Sequence, residues 1–308
     1  MTPFAFQTMI VVQLGLPEGQ RDWSRAYDYI AAIRKQTEEI EDEEIRARQE
    51  TNIKLYAAEI KFHEGHTEEA ERLIVEARDA YPDDPSMWVA LANFRQRTDG
   101  IEAMFAVLGE AEEKLGPKMF FFQKRIHGYQ AMNSDDAESQ LLAMEAEARE
   151  KYTEDMQVVL LANLAEALLS LGNYDEGSRL YQIVDEETPH DDLRVRMRRY
   201  EIASAVGDED GMQEASDLIA EIVGKDSAEW NYVQADRRIT LITKGKLDSS
   251  QLSEAREYIE KAAESRPNWY AVWRVRAQID RQEGNYDSAI DNYERAIELG
   301  ERQRGHYI

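Results

Sequence analysis

The sequence predicts an all-α protein, a solenoid of about eight antiparallel helix pairs. Three observations predict it. The tetrapeptide Gly172-Asn173-Tyr174-Asp175 recurs as Gly284-Asn285-Tyr286-Asp287, 112 residues later. Pro82 and Pro189 each follow a glycine, Gly65 and Gly172, at an offset of 17, and a small residue (Ala70, Gly177, Ala289) stands five after each of three glycines. The chain is rich in Ala, Glu, Arg, Leu and Ile, and its 16 Gly and 7 Pro fall mostly between periodic segments. Self-similarity at a fixed period marks a repeat architecture, and the composition is that of helices.

The pairs are expected at 3–43, 45–80, 85–115, 118–152, 154–187, 191–224, 228–265 and 269–303, as one continuous array. The apolar stretch Phe4 to Leu16 opens the first. No Lys or Arg precedes it, Gln7 and Gln13 interrupt it, and it is too short to span a bilayer, so it reads as a buried helix packing on the next one. Ala58, Gly65, Ala70, Ile74, Ala77 and Pro82 mark the second pair, and Trp88, Leu91, Ala92, Leu108 and Ala111 the third. The fourth is degenerate. The fifth is the clearest: Leu161, Leu164, Ala165 and Leu168 form one apolar stripe. Gly172 then ends the helix in a left-handed conformation, and Asn173 or Asp175 caps the next. Gly177 allows close approach, Leu180, Tyr181 and Val184 face inward, and Pro189 stops the second helix. The sixth is degenerate. Ala255, Ile259, Ala262 and Pro267 close the seventh, and Trp273, Ala277, Gly284, Ala289, Tyr293 and Ala296 mark the eighth. Trp23, Trp88, Trp230, Trp269 and Trp273 stand mostly at helix starts, where they wedge repeats together.

These Trp/Leu-x-x-x-Ala, Gly-x-Tyr, Ala and Pro positions resemble the tetratricopeptide repeat family in its divergent bacterial style, over most of residues 45–300. The resemblance implies helix pairs stacked into a right-handed superhelix, with first helices lining a concave groove. Arg276 and Asp280 stand where the family is usually apolar; four apart, they are expected to pair with each other. Both ends lack the polar capping repeat that solenoids carry. A piece of a longer scaffold, or ends covered by a partner, is the expectation.

A net charge of −25 sets the chain against nucleic acid and anionic membranes. The absence of Cys removes disulfides, thiolate metal sites and cysteine nucleophiles. It leaves the compartment open, with cytoplasm preferred over periplasm. His63-Glu64-Gly65-His66 has the wrong spacing for a zinc-protease helix, and Asp208-Glu209-Asp210-Gly211 the wrong spacing for a calcium loop. The Asp-rich turns around Asp84 and Asp192 read as helix starters. No phosphate-cradling loop or nucleophile elbow is present, so neither catalysis, metal nor cofactor is expected.

Positive charge gathers on first helices: Arg194, Arg196, Arg198 and Arg199 on the sixth, Arg237 and Arg238 on the seventh, Arg274, Arg276 and Arg281 on the eighth. With Trp273 and Ala277 in the core, Arg274, Gln278 and Arg281 turn toward the groove that the resemblance implies. The candidate partner-binding residues are Asn163, Arg194, Arg198, Arg237, Arg274, Gln278 and Arg281. A basic groove suits an acidic or carboxylate-bearing peptide; the competing reading pairs these Arg residues with acids on neighbouring helices. Some family members grip the carboxylate tails of heat-shock chaperones with Lys, Asn and Arg on three successive first helices. Asn163, Arg194 and Arg198 sit near the later positions, but Phe122 and Ile126 stand where Lys and Asn are needed, so that clamp is incomplete. The expected function is an interaction scaffold for a peptide or helix. Alternatives are an accessory module of a larger enzyme, secretion or envelope assembly, and a scaffold that self-associates through uncapped ends. Reversing Arg198 and Arg274 to Glu is expected to weaken the partner and leave the fold intact.

Overall fold

The computed structural model describes residues 3–132, 134–188 and 192–301. Pro189, His190, Asp191 and the tail holding Gly305 and His306 lie outside the described residues. Among the described residues the chain forms sixteen α-helices, with two short 3-10 turns. These are α1 (Pro3–Gly15), α2 (Trp23–Glu38), α3 (Glu43–His63), α4 (Thr67–Ala80), α5 (Pro85–Thr98), α6 (Ile101–Leu115), α7 (Met119–Met132) and α8 (Asp135–Lys151). They continue as α9 (Glu154–Ser170), α10 (Tyr174–Glu187), α11 (Leu193–Val206), α12 (Glu209–Val223), α13 (Ala228–Thr243), α14 (Leu252–Ser265), α15 (Tyr270–Glu283) and α16 (Tyr286–Glu298). The chain divides into two compact units, Met1–Gln140 with Glu150–Tyr152 and Leu141–Arg149 with Thr153–Ile308, so the division falls within α8.

In the first unit, α1 packs on α2 and both on α3 around Ile10, Ile30, Ile33, Ile53 and Ile60. The sequence expectation for α1 holds at Ile10 but not along the whole helix: Val11 and Val12 are exposed. Gln13, read as an interruption, is buried and accepts the Asp22 N–H at 3.0 Å, tying α1 to the start of α2. A second core runs from α3 to α7 through Ile74, Trp88, Leu91, Phe94, Met104, Leu108 and Phe121. In the degenerate fourth pair, Gly128 of α7 sits against Met104 and Phe105 of α6; an added Cβ would stand 2.5 Å from the Met104 Cε.

Arg21 links the α1–α2 turn to α3. Its Nε donates to the Leu16 carbonyl at 2.7 Å and its Nη1 reaches the His63 Nδ1 at 3.2 Å, while Trp23 stacks on the same ring. Burial, then the Arg21 and Arg97 charges, pushes the His63 imidazole below its ordinary value, with Glu59 opposing. The unfolded chain therefore takes up the proton first as pH falls. The stabilisation is present above about pH 6.5 and lost as pH drops below it toward the depressed folded value. Thermal midpoints at about pH 7.5 and about pH 5.5 should differ less in His63→Gln than in the parent. An unchanged difference would remove His63 from the account.

In the second unit the α9–α10, α13–α14 and α15–α16 hinges are built alike, whereas at α11–α12 the Gly207 and Asp208 N–H groups both donate to Ala203. After α9, Gly172 takes φ +89°, the Gly172 N–H donates to Leu169 and the Asn173 N–H to Leu168, both at 3.0 Å. This closure satisfies carbonyls that the helix end leaves open. The same pair of bonds recurs around Gly65 and Gly284. Asn173 accepts the Glu176 N–H at 3.1 Å and caps α10. Asn285, its counterpart, does not cap: its amide donates to Glu283 instead. At Gly177 a Cβ would stand 2.6 Å from the Leu169 Cγ, so α9 and α10 meet where only glycine fits. Asp84, Asp192 and Asp208 each accept an N–H in the first turn of α5, α11 and α12, so the acidic turns start helices.

The core of α11–α15 gathers Tyr200, Met212, Ile219, Tyr232, Val233, Ile239, Ile259, Val272, Val275 and Ile279. Trp273 is not part of it, contrary to expectation. It lies half-buried with its indole N–H donating to the Pro267 carbonyl at 2.7 Å and Arg276 over its ring. Trp88 treats Pro82 the same way, at 2.8 Å, under Arg78. Arg276 and Asp280 do not pair with each other either. Arg276 reaches Glu260, whereas Asp280 is buried and gathers Arg256 at 2.5 Å, Asn292 at 2.6 Å and Ser288 at 2.8 Å. A carboxylate at an apolar repeat position is thus met by a base from α14 and two donors from α16.

Candidate interaction face

Within the second unit the first helices of each pair are α9, α11, α13 and α15. The α13 helix packs directly on both α11 and α15, so these three share one surface. Two concavities open on this face. One is an apolar slot of about 340 Å³ between α9 and α11, walled by Val158, Val159, Ala162 and Val195, with Asn163 and Arg194 at its edge. The other is a polar pocket of about 160 Å³, walled by Arg198, Glu201 and Ser204 of α11, Tyr232 and Asp236 of α13, and Tyr270 and Arg274 of α15.

An ion pair joins the two. Arg198 donates to both oxygens of Glu166, at 2.7 and 2.8 Å, and Glu166 also lines the slot. Glu201 takes another Arg198 N–H at 2.9 Å. Burial works against the Arg198 charge, but Glu166 and Glu201 outweigh it and raise its pKa. Tyr181 donates to the same Glu166 at 2.6 Å, and burial with that carboxylate pushes its phenol up. Beneath the pocket lies a connected network. Arg274 donates to the Tyr232 hydroxyl at 2.8 Å and stands 3.8 Å from both Asp236 and Glu301. Asp236 accepts from Tyr200 at 3.1 Å and Ser204 at 3.0 Å. Burial raises the Tyr232 phenol well above its usual range.

Of the seven residues expected from sequence, Asn163 and Arg194 border the slot, and Arg198 and Arg274 line the pocket. Arg237, Gln278 and Arg281 stand outside both. Arg194 projects into solvent and pairs with Asp192, the cap of its own helix. Arg281 is exposed and has no ion pair among the described residues. The face is not the basic surface expected. Arg198 and Arg274 face Glu166, Glu201, Asp236 and Glu301, and three further bases are drawn off: Arg196 and Arg199 to Asp185, Arg238 to Glu254. Sequence reasoning did not single out Glu166, Glu201, Ser204, Tyr232, Asp236 or Tyr270. The separation of Glu166 from Arg198, 32 residues, is close to one repeat and was the available signal. Phe122 and Ile126 are buried in the core, so α7 offers no clamp residues there. Among the described residues, no group of three or more His, Asp or Glu could hold a metal ion, and no helix is long and apolar enough to cross a membrane.

Stacked helix hairpins joined by left-handed glycines define an all-α repeat protein. Two stretches match tetratricopeptide repeat models, residues 51–94 across α3 to α5 and residues 272–300 across α15 and α16. The chain carries tetratricopeptide repeats in these stretches. Among solved structures, a tetratricopeptide repeat protein from Parabacteroides merdae ATCC 43184 shares the fold, with a TM-score of 0.50 and 14% identity over 83% of this chain and 95% of that one. Yeast Tom70 is similar at a TM-score of 0.49 and 16% identity, over 91% of this chain and 57% of that one. No curated protein matches the chain. Tetratricopeptide repeats of this kind support a protein-interaction scaffold in general.

Proposed function

We propose that the chain is a non-catalytic scaffold whose first-helix face in the second unit holds an extended segment of a protein partner. An apolar side chain enters the α9–α11 slot, and a carboxylate enters the pocket beside it. The observation that carries this reading is the adjacency of the two concavities across the Glu166–Arg198 pair. The pocket is small enough to admit a single side chain rather than a larger molecule. Arg198 remains about one-third exposed at its side chain, so an incoming carboxylate can displace Glu201 while Glu166 holds the guanidinium in place. A charged acceptor on a guanidinium forms a short, strong bond, which gives the pocket its preference.

The test is an array of synthetic peptides carrying one Val or Leu and one Glu at varied spacing, read by fluorescence anisotropy. The best binder should lose about 10-fold in affinity when its Glu becomes Gln, and by about the same factor against Arg198→Gln. Val159→Ser should weaken it separately. Binding that is indifferent to both protein substitutions would place the partner elsewhere.

A further inference from the structure

A second surface lies on α16 and is independent of the first-helix face. Ala289, Asn292 and Ala296 bury one side of this helix, with Asn292 anchored on Asp280. On another side, Tyr286, Ile290 and Ile297 are 66%, 55% and 52% exposed, with half-buried Tyr293 between them. Their positions fall at i, i+4, i+7 and i+11, which places all four along one line of a helix. Each is followed directly by an acid: Asp287, Asp291, Glu294 and Glu298. One residue further is one fixed rotation round the helix, so these carboxylates form a second line beside the apolar one. Arg295 is the single base on α16, and it is committed to Glu298 at 2.9 Å. Asp287, Asp291 and Glu294 are exposed and have no ion pair among the described residues.

We propose that α16 is a docking surface for a partner helix that is apolar along one line and carries Lys or Arg along the adjacent line. Charge complementarity selects this occupant. The apolar line gives a helix something to bury, and the carboxylate line fixes its sign and register. A second copy is the weaker match: the exposed apolar helix at the other end, α1, contains no Lys or Arg and would leave the carboxylates unanswered. Anionic membranes and nucleic acid share the sign of the carboxylates and are repelled.

The probe is a synthetic amphipathic helix of about four turns, with Leu on one line and Lys on the next. A scrambled peptide of identical composition is the control. Isothermal titration should show binding of the patterned helix that is at least about 10-fold tighter than the scrambled one. Ile290→Ser with Ile297→Ser, both at exposed positions, should weaken it about 10-fold with circular dichroism unchanged. Asp291→Asn with Glu294→Gln should flatten its salt dependence. Three results overturn the proposal: equal binding of both peptides, an unaffected Ile290/Ile297 variant, or self-association in sedimentation that the same variant abolishes.

Discussion

Asp185→Ala should destabilise the second unit by about 3–5 kcal/mol, the magnitude for breaking a buried ion pair by removing one partner. Asp185 on α10 and Arg196 on α11 are each only 4% exposed, and Arg199 takes the other Asp185 oxygen. Without the carboxylate, Arg196 keeps a buried charge that water cannot reach, and a second guanidinium stands beside it. Arg199 retains Glu214 at 3.4 Å, so the loss concentrates on Arg196. Urea denaturation followed by circular dichroism reads the effect as a lower midpoint. Asp185→Leu combined with Arg196→Met should recover most of it, because apolar residues of similar volume replace buried pairs at little loss. A parent-like midpoint for Asp185→Ala would contradict this account of how α10 holds α11.

Arg274→Glu should cost about 3–5 kcal/mol as well, for a related reason. The Arg274 side chain is largely buried and holds Tyr232, Asp236 and Glu301. Tyr232 raises its pKa most, burial opposes, and Asp236 and Glu301 add to the rise. A glutamate there meets the two carboxylates, Asp236 and Glu301, that the guanidinium had answered. Arg274→Met should be milder, since Tyr200 and Ser204 still donate to Asp236. The burial of Arg274 thus sets it apart from Arg198, although the sequence alone expects reversal of either to leave the fold intact. Charge reversal there tests the fold, whereas Arg198 at the rim tests binding. Equal thermal midpoints for Arg274→Glu and the parent would show that the network is not structural.

What could be read from sequence was local. Gly65, Gly172 and Gly284 end helices through bonds to residues three to five positions away, and Asp84, Asp192 and Asp208 cap through bonds within one turn. Such features need no knowledge of a neighbouring helix. Asn285 shows the limit even here, because a nearby Glu283 takes its amide. Partners one repeat away were not legible. Arg97 meets Glu59, Arg149 meets Glu187, Arg266 meets Glu229 and Arg198 meets Glu166 at separations of 32 to 38 residues. With 62 acids in the chain, composition alone cannot say which acid answers which base. The clustering of Arg on first helices was therefore correct as a pattern and misleading as a charge. The slot was missed for the opposite reason: Val158, Val159 and Ala162 look like ordinary core residues, and only packing leaves Val159 exposed.

The most direct measurement of the central claim is hydrogen–deuterium exchange on the protein with and without the best peptide from the array. The account predicts slowed exchange in α9 and α11 around Val159, Asn163 and Arg198, reaching the start of α15 at Tyr270. Protection confined to the second helices α10, α12 and α14, with α9 and α11 unchanged, would contradict it.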